Sequence, residues 1–162
     1  MTMRLADEIA VLIRVPLFAD LSSDHLRLLA FGASRLDLPA GQVLFSKSAP
    51  AASSFVVMAG EIAMTDPDRP DSRSLARFGP GTLLGETALF IETRHPATAV
   101  AAIDSQILEI DRTLIRRMLD EYPDVAVRLH AKLLDTLTSV VDDVCHLWPR
   151  LNAVKYPAHR PA

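Results

Sequence analysis

The apolar positions of this chain change their period twice. Residues 5–13, LADEIAVLI, put Leu5, Ile9 and Leu12 at steps of three and four, the spacing of one face of an α-helix. Pro16 breaks that helix, and Leu17-Phe18 follows as an apolar anchor. A second helix is expected behind a cap at Ser22 or Ser23, with Leu26, Leu28, Leu29 and Phe31 on its buried side and Gly32 at its end. From Arg35 the period falls toward two. RLDLPAGQVLF alternates about Pro39-Ala40-Gly41 and reads as strand–turn–strand. SSFVVMAGEIAMT is a β-branched run that turns near Gly60, and the polar stretch from Asp66, DPDRPDSRS, reads as a hairpin tip. LARFGPG carries a strand into Gly79-Pro80-Gly81, and TAVAAIDSQILEID supplies two more joined near Asp104-Ser105.

Beyond Arg112 the helical period returns. RTLIRRMLDEY is a short helix, and Pro123 opens a longer one in which Ala126, Leu129, Leu133, Leu137, Val140, Val144 and Leu147 recur at steps of three and four. The proline-rich end, WPRLNAVKYPAHRPA, reads as a frayed tail. The expected organisation is α+β: a helical segment at 1–34, an antiparallel roll of eight strands at 35–111, helices at 112–148 and a tail at 149–162.

Composition narrows the functional classes. At 162 residues, 49% hydrophobic and 23% charged, the chain has room for one domain whose core needs no staples. A net charge of −3 provides no global field toward nucleic acid. The single cysteine, Cys145, excludes an intrachain disulfide and fits a reducing compartment. Asp7 and Glu8 near the start do not suit a signal peptide, and no apolar run nears the ~18 residues of a membrane span. A cytoplasmic location and no membrane partner are expected.

Little points to catalysis or to a metal. Cys145 and His146 are adjacent, so on a helix they point about 100° apart and share a metal poorly. His25, His130 and His159 lack ligand-spaced partners. Ser22, Ser23, Ser53 and Ser54 lack the strained elbow and the base of a nucleophile, and Asp142-Asp143 reads as a solvated face. No catalytic residue, metal or cofactor is expected, and the chain reads as a non-enzyme.

One segment differs. Gly85 to Thr98 reads GETALFIETRHPAT. A short helix starting at Glu86 would present N–H groups of Thr87, Ala88 and Leu89 with the positive end of its dipole behind them, which suits a phosphate. Ala88 and Ala97 are small enough for an anion to approach the backbone. The Glu86 carboxylate can accept two hydroxyl hydrogen bonds, as a ribose requires.

This segment resembles the phosphate-binding cassette of cyclic-nucleotide-binding domains, in which Gly-Glu opens a short helix and an Arg-Ala-Ala-Thr-like run closes it. Gly85-Glu86, Ala88-Leu89 and Ala97-Thr98 match in place without a gap. VPLFADLSSDHLRLLA is similar to the family's leading helices, LPAGQVLF to its first turn, FVVMAGEI to its glycine-marked strand pair and FGPGTLLGE to its approach to the cassette. The resemblance implies a double-stranded β-helix, jelly-roll-like, closed by a long C-terminal helix. It also implies a regulatory sensor binding a small phosphate-containing ligand such as cyclic AMP. The family's glutamate holds the ribose 2′-hydroxyl, which falls to Glu86, and its arginine pairs with the cyclic phosphate. At that arginine's position stands His95, followed by Pro96. Histidine lacks the planar fork that holds a phosphate, and proline removes an N–H. The threonine common at the Pro96 position in cyclic-GMP binders is missing, so guanine preference has no support.

The ligand-binding candidates are therefore Gly85, Glu86, Thr87, Ala88, Leu89, Arg94, His95, Ala97 and Thr98. His95 reads either as a phosphate contact or as a solvated loop histidine. Arg94 reads as a surface charge, or as a loop residue that swings inward. Phe55, Val57, Leu89, Phe90 and Val100 are expected in the core. The long C-terminal helix either packs on the roll or pairs with a second copy as the seam of a homodimer. In related bacterial regulators that helix leads to a DNA-binding domain; this chain ends soon after Trp148, so DNA binding by it alone is not expected. The competing reading is a degenerate domain without nucleotide affinity, acting in protein interaction or dimerisation.

Overall fold

The structure is a computed structural model that describes residues 3–68 and 76–155, with the side chains of the last helix described as far as Ser139. Helix α1 spans Leu5–Leu12 and α2 spans Ser23–Gly32, capped by the Ser22 hydroxyl, which accepts from the His25 N–H at 3.3 Å. The strands are β1 (Ser34–Leu38), β2 (Val43–Phe45), β3 (Pro50–Ala51), β4 (Ser53–Ala59), β5 (Ile62–Thr65), β6 (Ala76–Phe78), β7 (Leu83–Leu84), β8 (Thr93–Arg94), β9 (Thr98–Ala101) and β10 (Ser105–Asp111). A 3-10 turn over Glu86–Leu89 sits between β7 and β8. Helices α3 (Arg112–Glu121) and α4 (Pro123–Lys155) close the chain.

Among the described residues ten strands form two antiparallel four-stranded sheets, β1-β10-β4-β7 and β2-β9-β5-β6, and a ribbon β3-β8. Eight strands thus build the two faces and the ribbon adds two that the periodicity did not show. The expected strand–turn–strand at Pro39-Gly41 is not a hairpin: β1 pairs with β10 and β2 with β9. The same switch occurs between β4 and β5 and between β9 and β10. Each tight turn is a corner that passes the chain from one sheet to the other, which is what rolls it up. At Gly60 the corner demands φ of 89°, and a Cβ there would lie 2.2 Å from the Ser105 hydroxyl and 2.6 Å from the Asp104 carbonyl oxygen, so only glycine fits. β5 and β6 do pair as the expected hairpin, Ile62 opposite Phe78; residues 69–75 of its tip lie outside the described residues.

Alternation along β4 and β10 sorts the core into two layers. Phe55 and Val57 of β4 and Ile107 of β10 face the roll interior with Leu38, Phe45, Ile62 and Leu84. Val56, Met58, Leu108 and Ile110 face the helices and meet Phe18, Leu26, Leu29, Ile115, Val125 and Leu129. Both faces of β4 are covered, which explains its unbroken apolar run. Leu28 and Phe31, expected inside, are exposed; the buried face of α2 is Leu26, Leu29 and Ala30 instead. Glu8 is buried and its carboxylate takes a forked contact from Arg35, 2.5 and 2.7 Å. The helical backbone of α4 runs to Lys155, beyond the expected start of the tail at 149. Among the described residues, no helix is long and apolar enough to cross a membrane.

Candidate functional site

The cassette segment leaves β7 through Gly85, whose φ of 74° is left-handed and favours glycine. Ser54, fully buried on β4, donates its hydroxyl to the Gly85 carbonyl at 2.7 Å and so fixes where the turn begins. The helix that follows is a single 3-10 turn, and the Ala88 N–H expected to face a ligand donates to the Gly85 carbonyl at 3.0 Å. Ala88 and Leu89 are buried and Thr87 is exposed. The turn is held from its far side by Arg112, the first residue of α3, whose Nε donates to the Ala88 carbonyl at 2.6 Å and whose Nη2 donates to the Ala51 carbonyl at 2.7 Å. Neither Ser54 nor Arg112 stood out in the sequence, because each is brought to the cassette by a strand or helix distant along the chain.

Glu86 is half-buried, and burial raises its carboxyl pKa above the ordinary value. It borders a cavity of about 490 Å³ together with Arg14, Leu17, Thr82 and Thr136 of α4. The lining of that cavity includes neither Arg94 nor His95, so the structure does not bring the acid and the cassette's basic residues to one wall.

His95 is not a solvated loop residue. It is 6% exposed, its ring stacks on Phe45 at a centroid distance of 3.9 Å and an interplanar angle of 12°, and Phe55 lies 6.4 Å away. Its backbone is pinned on both sides, N–H to the Ala49 carbonyl and carbonyl to the Ser48 N–H. Burial lowers its pKa, so the imidazole in the roll is neutral near pH 7. Arg94 does not swing inward; it lies on β8, exposed, and its Nη1 donates to the Ser48 carbonyl at 2.7 Å. Ala97 is buried, and the Thr98 hydroxyl accepts from the Lys47 N–H at 2.9 Å. Phe55, Val57 and Leu89 are core as expected, while Phe90 and Val100 are only half-buried. Among the described residues, no group of three or more His, Cys, Asp or Glu side chains is placed to hold a metal.

The sequence model of the cyclic nucleotide-binding domain matches residues 35–122. A cyclic nucleotide-binding-like protein from Brucella abortus has a solved structure that aligns with a TM-score of 0.64 and 36% identity, covering 70% of this chain and 98% of that one. The cyclic AMP receptor protein of Thermus thermophilus is 29% identical over 119 residues, 73% of this chain and 55% of that protein. A lysophospholipase of Chaetomium globosum is 25% identical over 115 residues, but the chain spans only 8% of its length. The family match spans the whole roll, the cassette and α3, the elements that the geometry joins through Gly85, Ser54 and Arg112. The chain belongs to the cyclic nucleotide-binding domain family.

Proposed function

We propose that this protein is a non-catalytic regulatory module that binds cyclic AMP between the cassette turn and the inner face of the roll. The observation that carries this reading is the cassette itself: a left-handed Gly85 opens a helical turn at Glu86, small residues follow at Ala88 and Ala97, and the whole is tied to the first residue of α3. Glu86 takes the ribose hydroxyls, for which its carboxylate turns from the cavity it borders beside Arg14 and Thr136 toward the roll. Among the described residues no arginine belongs to the roll interior, so the cyclic phosphate depends on cassette N–H groups and on His95 leaving the face of Phe45. The chain works as a homodimer through α4: Val125 and Leu129 are buried against the domain, whereas Val127, Leu134 and Leu137 are exposed on a helix of 33 residues. That helix is about 50 Å long, longer than the roll can cover. Binding moves the cassette, Arg112 passes the movement to α3, and α4 reports it. A net charge of −3 gives the chain no global field toward DNA, and it acts in the cytoplasm.

A second reading is favoured by one observation. The imidazole of His95 fills the place beside Phe45 in the roll interior, and a roll closed in this way has kept its fold without its ligand and serves as an interaction module. Calorimetry with cyclic AMP and cyclic GMP separates the two. Cyclic AMP binding at about 1–100 μM, weakened by Glu86→Ala, is the expected result. Folded protein that gives no heat with either nucleotide overturns the sensor and leaves the interaction module.

A further inference from the structure

A cavity of about 400 Å³ lies where β3, β8 and the first residue of α3 meet, and two arginines, Arg94 and Arg112, line it with Thr93, Glu92 and the chain at 50–52. Arg112 is held in place by carbonyls. Its Nε and Nη2 donate to Ala88 and Ala51, and its backbone N–H donates to the Ala52 carbonyl at 3.0 Å. A guanidinium carries five N–H donors, so the Nη1 side is left for the cavity. Arg94 uses Nη1 on the Ser48 carbonyl, which leaves its Nε–Nη2 edge, an edge that forks onto an oxyanion. Among the described residues neither guanidinium makes an ion pair, and Glu92, although it borders the same space, pairs with neither.

Two cations on one concave wall, each with guanidinium donors unspent, attract a compact dianion more than a monoanion. We propose that this cavity binds a phosphomonoester group, forked by Arg94, contacted by Arg112 and capped by the Thr93 hydroxyl, with Glu92 selecting a ligand body that carries hydroxyl donors. The site is separate from the nucleotide pocket of the proposed function. It is joined to that pocket by the Ala88 carbonyl that Arg112 holds and by the chain from Arg94 to His95, so an anion drawing on Arg112 changes the hold on the cassette turn.

Backbone NMR titration at constant ionic strength tests this, with inorganic phosphate, glycerol phosphate and cyclic AMP as separate probes. Phosphate and glycerol phosphate should give saturable shifts at Ala51, Thr93, Arg94 and Arg112. Arg94→Ala should weaken both about 10-fold or more while its melting temperature stays at the wild-type value. Arg112→Lys, which keeps the charge and loses the fork, should weaken them about 3- to 10-fold. Arg77→Ala, which removes an exposed arginine paired with Glu61 elsewhere, should change nothing. Shifts that do not saturate, or equal affinity in wild type and Arg94→Ala, overturn the proposal. Phosphate shifts centred on Gly85–Ala88 instead overturn it and leave the cyclic AMP reading standing. Cyclic AMP that fails to bind while phosphate still titrates Arg94 overturns only the nucleotide reading.

Discussion

The imidazole of His95 lies flat on the ring of Phe45, 3.9 Å between centroids and 12° between planes, inside the roll. This contact sets the chemistry of the cassette. The residue expected at the phosphate-pairing position is part of the apolar interior, and its protonation is disfavoured by burial. Stability must then depend on pH. The unfolded histidine titrates near its ordinary value of about 6.5, and the folded one titrates lower. The stabilisation is complete above about pH 6.5 and is lost as pH falls through the folded pKa, because the unfolded chain takes a proton that the fold refuses. Urea midpoints at about pH 7.5 and about pH 5.5 should fall further for wild type than for His95→Leu. Glu86 has the opposite sign: its raised pKa favours the fold below about pH 4.5, a contribution lost as pH rises through the folded value. Parallel pH profiles for wild type and His95→Leu would show that the imidazole is protonated without cost.

His95→Arg is the direct test of the missing fork. An arginine there supplies a charge-assisted, bidentate contact to a cyclic phosphate, and hydrogen bonds to charged groups contribute roughly 1.5–3 kcal/mol, so cyclic AMP affinity should rise about 10- to 150-fold. Pro96 lacks an N–H, which places the gain toward the lower end. The same variant loses the stack on Phe45 and buries a charge, so its ligand-free melting temperature should fall while its ligand-bound one recovers. Calorimetry and thermal melts together read both effects; unchanged affinity would mean that the phosphate does not reach position 95.

Glu8 and Arg35 should respond unequally to truncation. Glu8 has 3% of its side chain exposed and Arg35 46%. Arg35→Ala leaves a buried carboxylate without its cation and should cost on the order of 3 kcal/mol. Glu8→Leu, which fills the space with an apolar group and frees Arg35 to water, should cost much less. Urea unfolding of both variants decides it, and equal losses would count against burial of the carboxylate.

The glycines make a graded series. Gly60→Ala drives a Cβ into Ser105 and Asp104 at a left-handed position and should destabilise most, by several kcal/mol. Gly85→Val is strained by φ of 74° but meets only Ser53 and His95 at 3.6 and 3.9 Å, so it should disturb the cassette with a smaller loss. Gly79→Val has nothing within 4 Å of its Cβ and should melt close to wild type. Any other order in thermal denaturation places the sheet-switching corner elsewhere.

Exposed apolar residues on α4 test the assembly. Leu134 and Leu137 are 49% and 62% exposed. Leu134→Asp with Leu137→Asp should convert a dimer to a monomer in light scattering at tens of micromolar, about the dissociation constant of a weak dimer, without lowering the stability of the roll. A wild-type protein that is monomeric under the same conditions removes the homodimer.

Local pattern determined much of this protein. The change of period at Arg35 and again at Arg112, a cap at Ser22 or Ser23, the glycine at 60 and the Gly85–Thr98 segment are all legible because each depends on residues a few positions apart. Sequence alone did not determine which strands pair. A turn such as Pro39-Gly41 looks the same whether it closes a hairpin or turns a corner, and only the packing of two sheets around Phe45, Phe55 and Ile62 chose the corner. Nor did it determine which face of α2 is buried, since Leu28 and Phe31 are as apolar as Leu26 and Leu29 and the inner surface is selected by what lies opposite. The site divides in the same way. Gly85 and Glu86 were legible through the resemblance of their segment to a known cassette, but Ser54, Arg112 and the stacking of His95 on Phe45 join residues tens of positions apart. Such contacts exist only once chain entropy has been overcome by burial of the whole roll.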